Sequence, residues 1–221
     1  MKSMQNRNRS AVRRHKGTCI AASAISDVFS PLLMATYAMA VALWLTPMAY
    51  LPLGVRAWST VGVFFITAVI PASTVFVLMR MGRVSDASIS DRRERPLPFI
   101  VAVLCYCGAW LYLCALNAPR WMLCFMAAAA AVALMELLIS FFWKISAHTG
   151  AAAGLAALVF WLASRGALRI DDFAAVSATV VILAAVAWAR LWLRRHTPAQ
   201  VLAGAAAAFL IVYLILHNFS I

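Results

Sequence analysis

Ala189-Arg190-Leu191-Trp192-Leu193-Arg194-Arg195-His196-Thr197-Pro198-Ala199-Gln200 runs directly into an apolar stretch from Val201 to Phe219. Thr197-Pro198 is a helix-start signal, with threonine as the cap and proline at the first helical position. The apolar stretch behind it suits a membrane span at ~20 residues per crossing. The fold is therefore read as helices in a bilayer, with a histidine and arginines gathered at the mouth of the last one. Such groups are expensive at membrane depth, and that cost makes them candidates for function.

The rest of the chain agrees. Of its 221 residues 65% are hydrophobic and only 7 are acidic. A soluble domain of this length cannot hide so much apolar surface. The reading is an all-α, polytopic transmembrane bundle of about six to seven spans. The stretch Ile20–Leu53, broken by Asp27 and Pro31, predicts an interfacial helix and then a span from about Pro31. Further spans are expected at Trp58–Met79 (with Pro71 as a kink), Phe99–Leu116, Trp121–Trp143, Thr149–Ser164, Phe173–Ala189 and Val201–Phe219. Residues 1–19 read as a basic tail and 20–221 as one transmembrane domain. The apolar run after the tail is too long for the core of a cleaved signal peptide, so it reads as an anchor that is kept.

The formal charge of +12 does not call for nucleic acid, because the basic residues sit in short loops beside spans. With these spans all but Arg56, Arg120, Arg165 and Arg169 of the 19 Lys and Arg residues share one face. The positive-inside rule reads that face as cytoplasmic. Cys19, Cys105, Cys107, Cys114 and Cys124 have neither metal-type spacing nor a paired framework, and read as free thiols.

Three polar islands fall on the same face. In the third, His196 sits where free backbone N–H groups favour an anion, and Arg190 closes the preceding span with a planar fork suited to phosphate. Arg194 and Arg195 either add to the field or snorkel to headgroups. In the second, Lys144-Ile145-Ser146-Ala147-His148, Ser146 is expected to cap a span and to place His148 in its first turn. Lys144 reads equally as an anion ligand or an interfacial anchor, and Gly150 and Gly154 as a packing pair. The first island, Ser85 to Pro96, mixes signs. Arg95 is its best anion ligand, whereas Arg92 and Arg93 are expected to meet lipid phosphates or Asp86, Asp91 and Glu94. His15 and His217 lack such context. Two histidines and two arginines without a carboxylate cluster describe a metal-free, cofactor-free oxyanion site. One histidine can attack phosphorus while the other protonates the leaving oxygen.

This pattern resembles the type 2 phosphatidic acid phosphatase superfamily, which also contains vanadium haloperoxidases and glucose-6-phosphatase. Its motifs are Lys-x6-Arg-Pro, Pro-Ser-Gly-His and Ser-Arg-x5-His-x3-Asp. Arg95-Pro96, Ser146 with His148, and Arg190 with His196 match them in order, so the resemblance covers residues 80–221. It implies His196 as the nucleophile forming a phosphohistidine and His148 as the general acid. Arg95, Arg190 and Ser146 would bind the phosphoryl oxygens, helped by backbone N–H groups near Ala147. Substrates of membrane relatives are phosphorylated lipids: phosphatidic acid, phosphatidylglycerol phosphate, polyprenyl pyrophosphate or lipid A. A multi-pass protein of a bacterial inner membrane is expected, of an oligomeric state the sequence does not tell.

The departures are specific. Ser88 stands where the family has lysine, leaving Arg92, Arg93 or Lys144 to substitute. Ile145 and Ala147 replace proline and glycine. Gln200 stands where the family has the aspartate that orients the nucleophile. Its amide can still accept the second N–H of the histidine, without the charge. The rival readings are a catalytically silent relative that binds lipid phosphate headgroups or acts as a scaffold, and a lipid transferase.

Overall fold

The computed structural model describes residues 17–87, 89 and 91–219. The first sixteen residues of the expected tail, and Ser88, lie outside the described residues. Among the described residues eight α-helices follow one another: α1 (Gly17–Val28), α2 (Pro31–Trp44), α3 (Leu53–Arg80), α4 (Pro96–Ala115), α5 (Arg120–Ser140), α6 (Ala147–Ser164), α7 (Asp172–Trp192) and α8 (Pro198–Phe219). Gly17–Cys19, read as the end of the tail, are helical.

From α3 to α8, six helices are long and apolar enough to cross a membrane, and the bent pair α1–α2 is a candidate for a seventh. Each of the six begins one to five residues before the expected apolar core. At α6, α7 and α8 the added residues belong to a polar cap and first turn, which hydropathy alone leaves out, whereas α3, α4 and α5 start at or just behind Pro52, Pro96 and Pro119. The first stretch is more broken than expected. α2 has 14 residues and is therefore about 21 Å long, short of a ~30 Å hydrocarbon core. α1 leaves it at 60°. The elbow is held by Ser30 Oγ, which accepts from the Leu32 N–H that opens α2 (3.4 Å), and by Tyr37, whose hydroxyl donates to the Val28 carbonyl (2.8 Å).

Pro71 was expected to kink its span. The chain winds one π-helical turn, Phe65–Val69, immediately before Ile70-Pro71, within the continuous segment Leu53–Arg80. A wider turn makes room for the ring and for the hydrogen bond a proline cannot donate. Thr67 Oγ1 adds a bond to the Val63 carbonyl at 2.8 Å.

α6 is the axis of the bundle, with 67% of its span buried, against 17% for α7. It packs on α8, α7, α2 and α5. Small residues allow this, because without a hydrophobic drive between helices in lipid, close backbone approach is what holds them. Backbone meets backbone at Gly204 of α8, where a Cβ would stand 2.6 Å from the Ser146 carbonyl. Three bonds accompany it. The Ser146 N–H donates to the Gln200 carbonyl (3.3 Å), and Thr149 Oγ1 reaches both the Ser146 and the Val201 carbonyls at 3.1 Å. The mouths of α6 and α8 are thereby stitched together, which brings the second and third islands to one place.

Candidate active site

Arg190 lies in the last turn of α7, and the five residues after it form a Schellman ending. The Arg195 N–H donates to the Arg190 carbonyl (3.1 Å) and the Arg194 N–H to the Leu191 carbonyl (3.0 Å), with Arg194 left-handed at φ 52°. The chain then turns into Thr197, whose hydroxyl accepts the Gln200 N–H (3.4 Å), while Gln200 Oε1 accepts the Thr197 N–H (3.2 Å). This reciprocal pair is a capping box, legible in Thr197-Pro-Ala-Gln200. The Arg-x5-His spacing is thus the length of a helix ending plus a helix start. It delivers His196 next to Arg190 instead of on the far side of a loop.

Arg95, His148, Arg190 and His196 line one cavity of about 150 Å³, with Ala147 beside them. Arg95 and Arg190 are each only 4% exposed and His196 8%. Arg95 is held by two carbonyls, donating from Nη1 to Ile145 (2.8 Å) and from Nε to Ile89 (3.2 Å). Ile89 has φ 47°, a rare conformation for a β-branched residue; it turns a carbonyl toward the guanidinium. Burial lowers the pKa of Arg95, opposed by the charges of Glu136 and Asp86.

His196 Nδ1 lies 3.1 Å from Gln200 Oε1. That oxygen can only accept, so Nδ1 carries the proton and Nε2 keeps its lone pair. Burial, and then the charges of Arg190, Arg95 and Lys144, push the pKa of His196 down to about 3 from 6.5, against the Gln200 bond that raises it. The ring is a neutral base in a cationic setting.

The other expected residues stand differently. Lys144 and Gln200 do not line this cavity. They line an open depression on the other side of His196, with Arg194 and Arg195. The pKa of Lys144 is lowered by burial and then by Arg95, Arg190 and Arg195. Ser146 occupies the cap position of α6, but its hydroxyl makes no capping bond, a correction to the expected role. Its backbone is committed to α8, which leaves Oγ fully buried without a partner. Arg190 Nε is a second such orphan. Buried donors of this kind usually find acceptors, and a phosphoryl group in the cavity beside them is one that could serve.

The first island is also rearranged. Arg92 Nη1 donates to the Phe141 carbonyl at 2.7 Å, satisfying the end of α5. Glu94 Oε2 accepts from both the N–H and the hydroxyl of Ser85 (2.9 Å each), and Asp91 accepts from the Arg93 N–H.

Two contributions were missed. α1 reaches the site, with the backbone of Ser26 within hydrogen-bonding reach of His148 and the charge of Asp27 felt at Arg190. Glu136, buried in α5, faces a cavity next to the site. In both cases the available signal was a lone acid in an apolar stretch.

The fold is that of a polytopic membrane protein, and it brings two arginines and two histidines to one buried cavity at one end of the bundle. Residues 138–220 match the PAP2 superfamily, which supports membership of the chain in the type 2 phosphatidic acid phosphatase superfamily. The match contains Lys144, Ser146, His148, Arg190, His196 and Gln200, and leaves out Arg95. No curated protein and no solved structure matches the chain.

Proposed function

We propose that this protein is a lipid phosphatase that hydrolyses a phosphomonoester or pyrophosphate of a membrane lipid through a phosphohistidine, without a metal, in a bacterial inner membrane. The observation that carries it is the placement of His196: Nδ1 is tied to Gln200, and the ring borders a cavity shared with His148, Arg95 and Arg190. Nε2 attacks phosphorus while Arg95 and Arg190 neutralise the equatorial oxygens. The bond from phosphorus to the leaving oxygen breaks, and His148 gives that oxygen its proton. Water then attacks the phosphohistidine, His148 takes the proton back, and phosphate leaves. Apolar walls, among them Pro31, Leu32, Val75 and Phe99, suit a substrate whose remainder is lipid. Ser146 and the backbone near Ala147 are proposed as further phosphoryl donors, and Lys144 as a source of positive field from behind His196.

A silent, lipid-binding relative is the second reading, favoured by the neutral Gln200 where a carboxylate would stabilise the imidazolium. Phosphate release decides between them. Purified protein in detergent is presented with phosphatidic acid, phosphatidylglycerol phosphate, undecaprenyl pyrophosphate and lipid A, beside His196→Ala. Release that is lost in the variant supports the phosphatase. Folded protein that binds these lipids equally with and without His196, and releases nothing, overturns it.

A further inference from the structure

Glu136 is the only acidic residue between Glu94 and Asp171. It sits more than a turn inside α5, is 4% exposed, and its Oε1 has no hydrogen-bond partner. An unpaired carboxyl at membrane depth is costly, and a polar group kept there against that cost is a candidate for ligand contact. Its surroundings favour this. Glu136 lines a cavity of about 90 Å³ whose other walls are mainly apolar, with Tyr106 and Thr67 among the polar exceptions. That cavity shares Pro31, Leu32, Phe99, Ala102 and Ala147 with the phosphate pocket. The two are neighbouring compartments of one site.

Gly150 of α6 is part of the same arrangement. A Cβ there would collide with Glu136 Oε1, so the helix is bare where the carboxyl lies. This gives Gly150 a second role beside helix packing. Arg95 does not account for the carboxyl. The two charges feel one another, but Nη1 and Nε of Arg95 are bonded to the Ile145 and Ile89 carbonyls, and Oε1 stays unpaired.

We propose that this second cavity is a subsite for a hydroxyl group of the substrate, held by Glu136, and that it selects phosphorylated lipids with a free hydroxyl close to the phosphate. The inference rests on the phosphatase reading and names its substrate class. A hydroxyl both donates and accepts, so it pairs with the carboxyl in either protonation state. At about 90 Å³ the cavity is sized for a small headgroup and not for the length of an acyl chain. A site built to bond a hydroxyl also rejects analogues lacking it, because its own polar group is then left unpaired.

The test compares monoacylglycerol phosphate with monoacyl propanediol phosphate, which differ only in the hydroxyl. kcat/KM for phosphate release is measured in detergent, with retention of each lipid on immobilised protein as a second readout. We expect the wild type to favour the hydroxylated lipid at least tenfold. Glu136→Leu brings the ratio to about one while keeping release from the propanediol lipid, and Glu136→Gln stays between. Gly150→Ala, whose methyl displaces the carboxyl, lowers the ratio by a second route should the leucine variant not fold. A wild-type ratio of one, or one that Glu136→Leu leaves unchanged, overturns the subsite. Release from neither of these lipids nor from the wider lipid panel overturns the phosphatase reading instead, and the retention ratio then decides the subsite, equal retention refuting it.

Discussion

His196 Nδ1 and Gln200 Oε1 stand 3.1 Å apart, and the same oxygen accepts the Thr197 N–H at 3.2 Å. One amide therefore does two things: it closes the capping box of α8 and sets the tautomer of the histidine at its mouth. The helix start and the orientation of the ring are one structure. A residue that looks like the loss of a catalytic carboxylate is also a well-placed third residue of a helix.

Replacing this amide separates geometry from charge. Gln200→Glu keeps the length of the side chain and both acceptor bonds and adds a negative charge beside His196. We expect turnover to rise by about tenfold, equivalent to about 1.4 kcal/mol of transition-state stabilisation. Gln200→Asp adds the charge on a shorter arm and is expected to gain less. Steady-state phosphate release reads both, and a fall in each would mean that the neutral amide is what this site requires.

His196→Ala is expected to abolish release, and Arg92→Ala to leave it within about twofold of wild type, a change of only ~0.4 kcal/mol in the barrier. The contrast follows from placement. His196 borders the cavity, while Arg92 bonds the Phe141 carbonyl at the end of α5. Similar residual rates in the two variants would remove the assignment of the nucleophile.

The pH dependence follows from the depressed pKa of His196, about 3 against an ordinary 6.5. In that window the unfolded chain binds the proton and the folded site does not. The contribution of this group to stability is therefore complete above about pH 6.5 and is lost as the pH falls toward 3. Thermal unfolding in detergent should show the wild type losing stability relative to His196→Ala over that range. The kcat/KM profile should have no acid limb near 6.5 from this group; a limb there would show that the ring titrates normally.

Gly204→Ala tests the stitching of α6 to α8. The added methyl meets the Ser146 carbonyl at 2.6 Å, which is backbone and cannot move aside alone. Overpacking of this kind costs about 1–3 kcal/mol. We expect a lower midpoint of unfolding together with reduced release, because the two mouths that hold His148 and His196 are forced apart. Unchanged unfolding and activity would mean the contact is loose.

Much of the fold was legible along the chain because hydropathy and caps are local properties. Six spans from α3 to α8 could be read from apolar runs, and their starts differ by one to five residues. Arg95, His148, Arg190 and His196 could be chosen because charge and imidazole at span ends are costly unless used. The Thr197-to-Gln200 box was equally readable, being a four-residue pattern.

What the tertiary structure decided is everything that depends on two distant segments meeting. That Ser146 gives its backbone to α8 and leaves its hydroxyl unpaired depends on Gly204, fifty-eight positions away. That Arg92 turns to the end of α5, that the α1 backbone at Ser26 meets His148, and that Glu136 lines a cavity beside the one lined by His196 have no local signature. Apolar periodicity tells a helix to enter the bilayer, since the cost of burying backbone and charge is paid within the segment itself. Which helix it then touches is set by the shapes of small residues on facing surfaces, and those shapes exist only once the bundle has closed.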